Sequence, residues 1–146
     1  MNIAFFLKPK INVAYLTETN TIRQGLEKMH YHGYTAIPVL SEDGRYVGTI
    51  SEGDFLWYII KGENGEVKQV EIKDEEQRTI RDILRTDRNS PVHITETMEQ
   101  LLQKAFDQNF VPVVDDRGYF MGIITRQEIM RYFYQNTLGL KELNLK

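Results

Sequence analysis

One motif, written twice in the same register, constrains this chain more than any other feature. Gly48-Thr49-Ile50-Ser51-Glu52-Gly53-Asp54-Phe55 is answered 74 residues later by Gly122-Ile123-Ile124-Thr125-Arg126-Gln127-Glu128-Ile129. Each copy reads as an apolar strand end, a hydroxyl residue, two spacers, a carboxylate and an apolar helix. Free N–H groups at a helix start, with a hydroxyl and an acid beside them, suit a phosphate and a ribose. The same spacing is also a capping box, in which the hydroxyl and the acid satisfy the helix's own first amides. Taken alone, either copy leaves both readings open.

The repetition extends well beyond the motif. Pro38 and Pro112, Gly44 and Gly118, Ser51 and Thr125, and Asp54 and Glu128 all stand 74 apart. Further upstream, Ile80, Ile83 and Leu84 echo Ile3, Phe6 and Leu7 at an offset of 77. Val92-His93-Ile94 is set against Ala14-Tyr15-Leu16, while Thr35 and Ala36 have no counterpart, because Phe110 runs straight into Val111. Each half is expected to run helix, strand, helix, strand, strand, helix. In the first half these are Ile3–Leu7, Ile11–Leu16, a helix from Ile22 to Gly33, Tyr34–Leu40, Tyr46–Ile50 and Ser51–Ile60. Between the halves, ten of the eighteen residues from 61 to 78 are charged, which predicts a solvated connection. The expected organisation is repeat 1 over 1–62, a charged linker over 63–78, repeat 2 over 79–138 and a tail over 139–146. Two matched α+β halves imply a pseudo-twofold with a shared core.

Composition narrows the function classes. A net charge of −3 and a pI near 5.6 argue against a sequence-independent nucleic-acid binder. Without cysteine there is no disulfide, thiolate metal site or cysteine nucleophile. Three histidines and no nucleophile-plus-base constellation leave little for an enzyme. His30 and His32 stand two apart and diverge on a helix, so no metal is expected there. No stretch approaches the roughly 18 apolar residues of a spanning helix, and a cytoplasmic protein without a membrane partner is expected. Trp57, Tyr58, Tyr132, Phe133 and Tyr134 form an aromatic stripe on the two closing helices, read as interface packing.

The doubled set Ala36-Ile37-Pro38-Val39-Leu40, Gly44 and Gly48-to-Asp54, with Val111-Pro112-Val113-Val114, Gly118 and Gly122-to-Glu128, resembles a tandem pair of CBS domains, the Bateman module. The resemblance covers essentially the whole chain. It implies two βαββα repeats packed with pseudo-twofold symmetry, a cleft for an adenosine derivative on either side, and pairing into a homodimer. Each family cleft takes its hydroxyl-x-x-acid motif from one half and early strand segments from the other. Carried over, one cleft joins Thr125, Arg126 and Glu128 to Val13, Ala14, Tyr34, Thr35, Ala36 and Ile37. A weaker one joins Ser51 and Asp54 to Val92 and His93, with Asn109, Phe110 and Val111 as its shortened wall. In the favoured cleft Thr125 would bond phosphate or sugar, Glu128 the ribose hydroxyls, and Arg126 would neutralise phosphate. No strong phosphate cation is expected near the weaker one.

Val13-Ala14, Gly33-to-Leu40, Asn109-Phe110-Val111 and Thr125-Arg126 are also similar to stand-alone CBS proteins of Gram-positive bacteria that bind cyclic di-AMP. Those proteins carry no enzyme and relay ligand state to a target protein. Asn12 stands where they place a lysine and Gln127 where they place a second arginine, with Lys8 or Lys10 available as substitutes. Cyclic di-AMP and AMP, ADP or ATP are thus both retained as ligands. A ligand-independent dimeric adaptor with vestigial clefts is the alternative.

Overall fold

The computed structural model describes residues 1–61 and 78–145. Most of the charged linker, apart from Arg78, therefore lies outside the described residues. The elements are β1 (Lys8–Pro9), β2 (Leu16–Thr17), α1 (Ile22–His32), β3 (Ala36–Leu40), β4 (Tyr46–Ser51) and α2 (Glu52–Lys61). The second half supplies α3 (Ile80–Ile83), β5 (Val92–His93), α4 (Met98–Asp107), β6 (Phe110–Val114), β7 (Phe120–Thr125) and α5 (Arg126–Leu145). The α+β tandem-repeat architecture expected from the duplication is present. Two details differ. Ile3–Phe6 is a 3-10 turn, capped by the Asn2 side chain, and α5 carries the backbone through the expected tail to Leu145.

Both helices that precede the long strands begin with complete capping boxes, Thr21 with Gln24 and Thr97 with Gln100. Helix α1 ends on Gly33 at φ 68, a left-handed position where glycine lacks the Cβ penalty. One sheet has the order β2-β3-β4 and the other β1-β7-β6-β5. Pro38 sits in the middle strand, β3, yet β2 reaches only Val39 and Leu40. At Pro38 the strand therefore has one neighbour, where a missing N–H is tolerated.

The two repeats are exchanged at their leading ends. Strand β1 belongs to the first repeat in sequence but pairs antiparallel with β7 of the second. Ile3 and Phe6 are buried against Val92, Leu101, Val111 and Ile124 of the second half. Ile80, in turn, is buried with Leu16, Ile22, Ile37 and Phe55 of the first. Val13, Leu40 and Phe120 form a third cluster spanning both halves. The β3–β4 and β6–β7 hairpins also meet: Tyr46 N–H donates to the Gly118 carbonyl and Phe120 N–H to that of Gly44. Gly44 and Gly118, at the tips of these hairpins, take φ of 94 and 86, a left-handed region that glycine enters without a Cβ penalty.

The expected strand at 11–16 shrinks to Leu16–Thr17, with a 3-10 turn at Lys10–Asn12 ahead of it. Its pairing corrects the alignment of the halves. Leu16 pairs with Val39 and Val92 with Val113, and Val39 and Val113 are themselves 74 apart. Val92 is thus the counterpart of Leu16, two residues away from the equivalence with Ala14 expected from sequence. A shift of two leaves the facing pattern of a strand unchanged, so alternation could not detect it. Counting back from this pairing, Arg88, Asn89 and Ser90 answer Asn12, Val13 and Ala14.

The aromatic stripe divides. Tyr58 is buried in the first core, and Tyr132 packs edge-on against Phe5 and Phe6. Leu56 and Trp57 of α2 and Met130, Phe133 and Tyr134 of α5 are exposed, so the closing helices present apolar surface. No helix among the described residues is long and apolar enough to cross a membrane.

Candidate functional site

A cleft of about 590 Å³ opens between the repeats, with walls drawn from both. The crossing strand β1 contributes Lys8, the segment before β2 contributes Val13 and Ala14, and the approach to β3 contributes Tyr34, Thr35, Ala36 and Pro38. From the second half come Asn109, Phe110 and Ile123, then Thr125, Arg126, Gln127 and Met130 around the start of α5. The strand register explains the meeting of Phe110 with Thr125, since the two are directly paired. Thr35 and Ala36, expected to have no counterpart, are matched by Asn109 and Phe110: Ala36 pairs with Ser51 as Phe110 does with Thr125, and the Thr35 carbonyl accepts from the Glu52 amide as that of Asn109 does from the Arg126 amide.

Seven of the residues expected in the favoured cleft are brought together there: Val13, Ala14, Tyr34, Thr35, Ala36, Thr125 and Arg126. Two are not. Ile37 is fully buried in the first core, paired with Ile50, and its side chain is spent on packing. Glu128 does not line the cleft; its carboxylate takes a 2.6 Å bond from Arg131, one turn along α5. The acid expected to hold a ribose diol therefore stands outside the cleft lining.

Thr125 acts as a cap, its hydroxyl accepting from the Glu128 amide at 3.2 Å. The Arg126 amide donates to the Asn109 carbonyl at 2.9 Å. The Arg126 side chain reaches the far end of α4, where Nε donates to the Ala105 carbonyl at 2.6 Å and Nη2 to that of Phe106 at 3.2 Å. The cation thus sits at a helix C-terminus, where the macrodipole favours it. Among the lining residues Lys8 and Arg126 are cationic and none is acidic. Lys10 is turned elsewhere, with its ammonium 5.3 Å from the Tyr15 ring centroid. His32 stacks on Tyr34 at 5.3 Å. Among the described residues no group of three or more His, Asp or Glu side chains is placed to hold a metal ion.

At the weaker cleft the motif residues are bonded to Arg88, a residue that the two-residue register error concealed. Arg88 Nη1 donates to Ser51 Oγ at 3.1 Å and lies 3.1 Å from Asp54 Oδ1 and 3.2 Å from Oδ2. A strong cation therefore stands where none was expected. Asp54, only 5% exposed at its side chain, also accepts from the Ser51 amide at 2.8 Å, completing a capping box. Asn89, at φ 51, has its carbonyl held by the Tyr46 hydroxyl at 2.8 Å, while Lys104 holds Ser90 at 2.7 Å. Burial pushes the Tyr46 phenol up to about 12. Val92 is a buried core residue and His93 an exposed one, and Asn109 and Phe110 belong to the first cleft instead. Ser51 and Asp54 are thus satisfied by the protein itself.

At Gly48 and Gly122 the protein's own chain approaches the backbone closely. A Cβ on Gly122 would stand 2.1 Å from the Lys8 carbonyl oxygen; one on Gly48 would stand 3.1 Å from that of Arg85. The repeated glycines let each leading segment cross onto the opposite repeat. Gly122 in this way seats the strand that carries Lys8 to the open cleft.

Two exchanged α+β repeats with a nucleotide-sized cleft between them define a tandem-repeat module. The chain belongs to the CBS domain family, whose sequence pattern matches residues 7–61 and 80–135. It is 27% identical over 130 residues to cyclic di-AMP receptor B of Bacillus subtilis (strain 168), covering 89% of this chain and 84% of that protein. A crystal structure of CbpB in complex with c-di-AMP superposes with a TM-score of 0.87 at 25% identity, covering 97% of this chain and 90% of that one. CbpB from Streptococcus agalactiae gives a TM-score of 0.82 at 26% identity, covering 96% and 84% respectively.

Proposed function

We propose that this protein is a regulatory sensor, without enzymatic activity of its own, that binds cyclic di-AMP in the cleft lined by Lys8, Ala14, Ala36 and Arg126. The observation that carries the reading is the charge and acid placement at the two clefts. The open cleft has two cations and no carboxylate, matching two phosphodiesters. Both carboxylates of the repeated motif are engaged elsewhere, Asp54 by Arg88 and Glu128 by Arg131. An AMP-type ligand would present a free ribose diol with no acid to meet it, whereas a cyclic dinucleotide has its 3′ oxygen esterified. Val13, Ala36, Pro38, Phe110 and Ile123 provide apolar walls for purine rings, and the volume falls within the roughly 300–1,000 Å³ of small-molecule sites. The similarity to a cyclic di-AMP receptor and to a CbpB complex with c-di-AMP supports the same ligand. With Ser51 and Asp54 of the second cleft bonded to Arg88, this reading assigns one ligand per chain. The apolar faces of α2 and α5 fit a homodimer, and ligand state is read by a target protein.

Isothermal titration with cyclic di-AMP, AMP and ATP tests this. Cyclic di-AMP binds at one per chain, and Lys8→Ala or Arg126→Ala each weakens it about tenfold or more, the scale of a lost charge-assisted bond. Glu128→Gln leaves binding unchanged. Preferential binding of AMP or ATP, lost in Glu128→Gln, refutes the dinucleotide assignment. Absence of binding by all three assigns the protein instead to a ligand-independent adaptor.

A further inference from the structure

Arg126 is shared between two places. It lines the open cleft and also borders a smaller apolar cavity of about 260 Å³ formed with Leu102, Ala105, Phe106, Ile129 and Met130. Its Nε and Nη2 donors are engaged by the Ala105 and Phe106 carbonyls. These carbonyls lie in the last turn of α4, whose final C=O groups have no partner further along the helix. The next amide, that of Gln108, goes to Lys104 and cannot serve them. A guanidinium from another helix therefore closes the end of α4. The Phe106 side chain on that turn is 80% exposed.

We propose that Arg126 couples ligand occupancy to the C-terminal turn of α4. The inference rests on the reading that a phosphate-bearing ligand enters the open cleft. A phosphate is a stronger acceptor for a guanidinium than a neutral carbonyl, because both partners are then charged. Of the five donors that the planar guanidinium holds in a fixed fork, the two on these carbonyls form its Nε–Nη2 edge, so turning that edge to a phosphate takes both off the Ala105 and Phe106 carbonyls together. Those carbonyls lose both their donors and the cation that offsets the helix dipole. The last turn of α4 then frays, and the surface around Phe106 changes when ligand is bound. The coupling needs no hinge motion of the repeats and is reciprocal: whatever orders the end of α4 weakens the ligand.

Amide hydrogen exchange read by mass spectrometry on the full chain tests the coupling, with binding followed in parallel by calorimetry. In saturating cyclic di-AMP, exchange across the last turn of α4, at Phe106, Asp107 and Gln108, should rise about tenfold, while α1 stays unchanged or is protected. Arg126→Ala without ligand should already show the fast exchange at α4, and Arg126→Lys, which lacks the fork, should resemble it. Saturated protein whose α4 end exchanges at the unliganded rate or more slowly overturns the coupling and leaves the functional reading standing. Absence of cyclic di-AMP binding in the calorimeter overturns the functional reading itself, and the coupling with it.

Discussion

Gly122→Ala is the sharpest test of how the repeats are joined. The added Cβ would lie 2.1 Å from the Lys8 carbonyl oxygen and 3.0 Å from both Lys8 C and Pro9 Cα. An ordinary carbon–oxygen contact is about 3.3 Å or longer, so β1 must retreat by about 1 Å from β7. That separation strains the pairing of Lys8 with Ile123 and of Pro9 with residue 122. Overpacking of this kind costs about 1–3 kcal/mol. The φ of 149 at this position adds about 1–2 kcal/mol for any residue with a side chain. Together they predict a loss of about 2–5 kcal/mol, or a fall in Tm of about 4–20 °C for a chain of this size. Gly118→Ala is the control, since its φ is 86 but nothing lies within 4 Å of the added atom. It should cost about 1 kcal/mol, from backbone conformation alone. Urea denaturation of both variants measures the difference. Gly122→Ala should also weaken cyclic di-AMP binding, because the strand it displaces carries Lys8. Equal stability losses for the two variants would refute the reasoning that Gly122 exists to admit the crossing strand.

Three further expectations follow from named contacts. Asp54→Ala removes a capping-box acid and the partner of Arg88, so urea denaturation should show a loss of about 2–3 kcal/mol, while calorimetry finds cyclic di-AMP affinity unchanged. Ile3→Ala and Ile80→Ala, each fully buried in the core of the opposite repeat, should each cost about 2–5 kcal/mol; chemical denaturation should still show one cooperative transition, because neither repeat has a complete core without the other's leading segment. Tyr46, with its phenol raised to about 12 by burial, keeps its proton in the folded state where the unfolded chain loses it near 10. The folded state thus binds more protons over that interval, so the contribution is fully present below about pH 10 and lost as pH rises towards 12. Denaturation across that range should show roughly 2 kcal/mol of pH-dependent stability that Tyr46→Phe lacks.

The duplicated register made the fold legible, because glycines, prolines and hydroxyl residues at a constant offset mark turns, strand positions and helix starts directly. It also placed most of the open cleft, including Thr35 and Ala36. The illegible parts share one physical origin. The leading segments contribute only two-residue strands, too short for periodicity to fix their register; β1 pairs in the other repeat, while β2 and β5 pair within their own. Hence the two-residue slip at Val92, which hid Arg88. Glu128 failed for a different reason. A carboxylate in the first turn of a helix has a ready partner one turn on, and the sequence spacing of Arg131 offered that ion pair from the start.

The two copies of the motif have met different fates, and the difference is chemical rather than topological. At Ser51 the box is complete, and a guanidinium from the second repeat bonds both its members. At Thr125 only the hydroxyl caps, and the corresponding position of the first repeat, Asn12, brings no cation into the cleft. A bond network that ties repeat 2 to repeat 1 at one cleft fixes their spacing there without any ligand. The other cleft, carrying Lys8 from one repeat and Arg126 from the other, is left with like charges facing a shared space. Two cations gathered without an acid repel each other weakly until an anion arrives, so ligand binding at the open cleft does for that side what Arg88 already does for the other. On the proposed reading the asymmetry gives the duplicated fold a fixed side and a responsive side, and it is carried by the residues at two equivalent positions, Arg88 and Asn12.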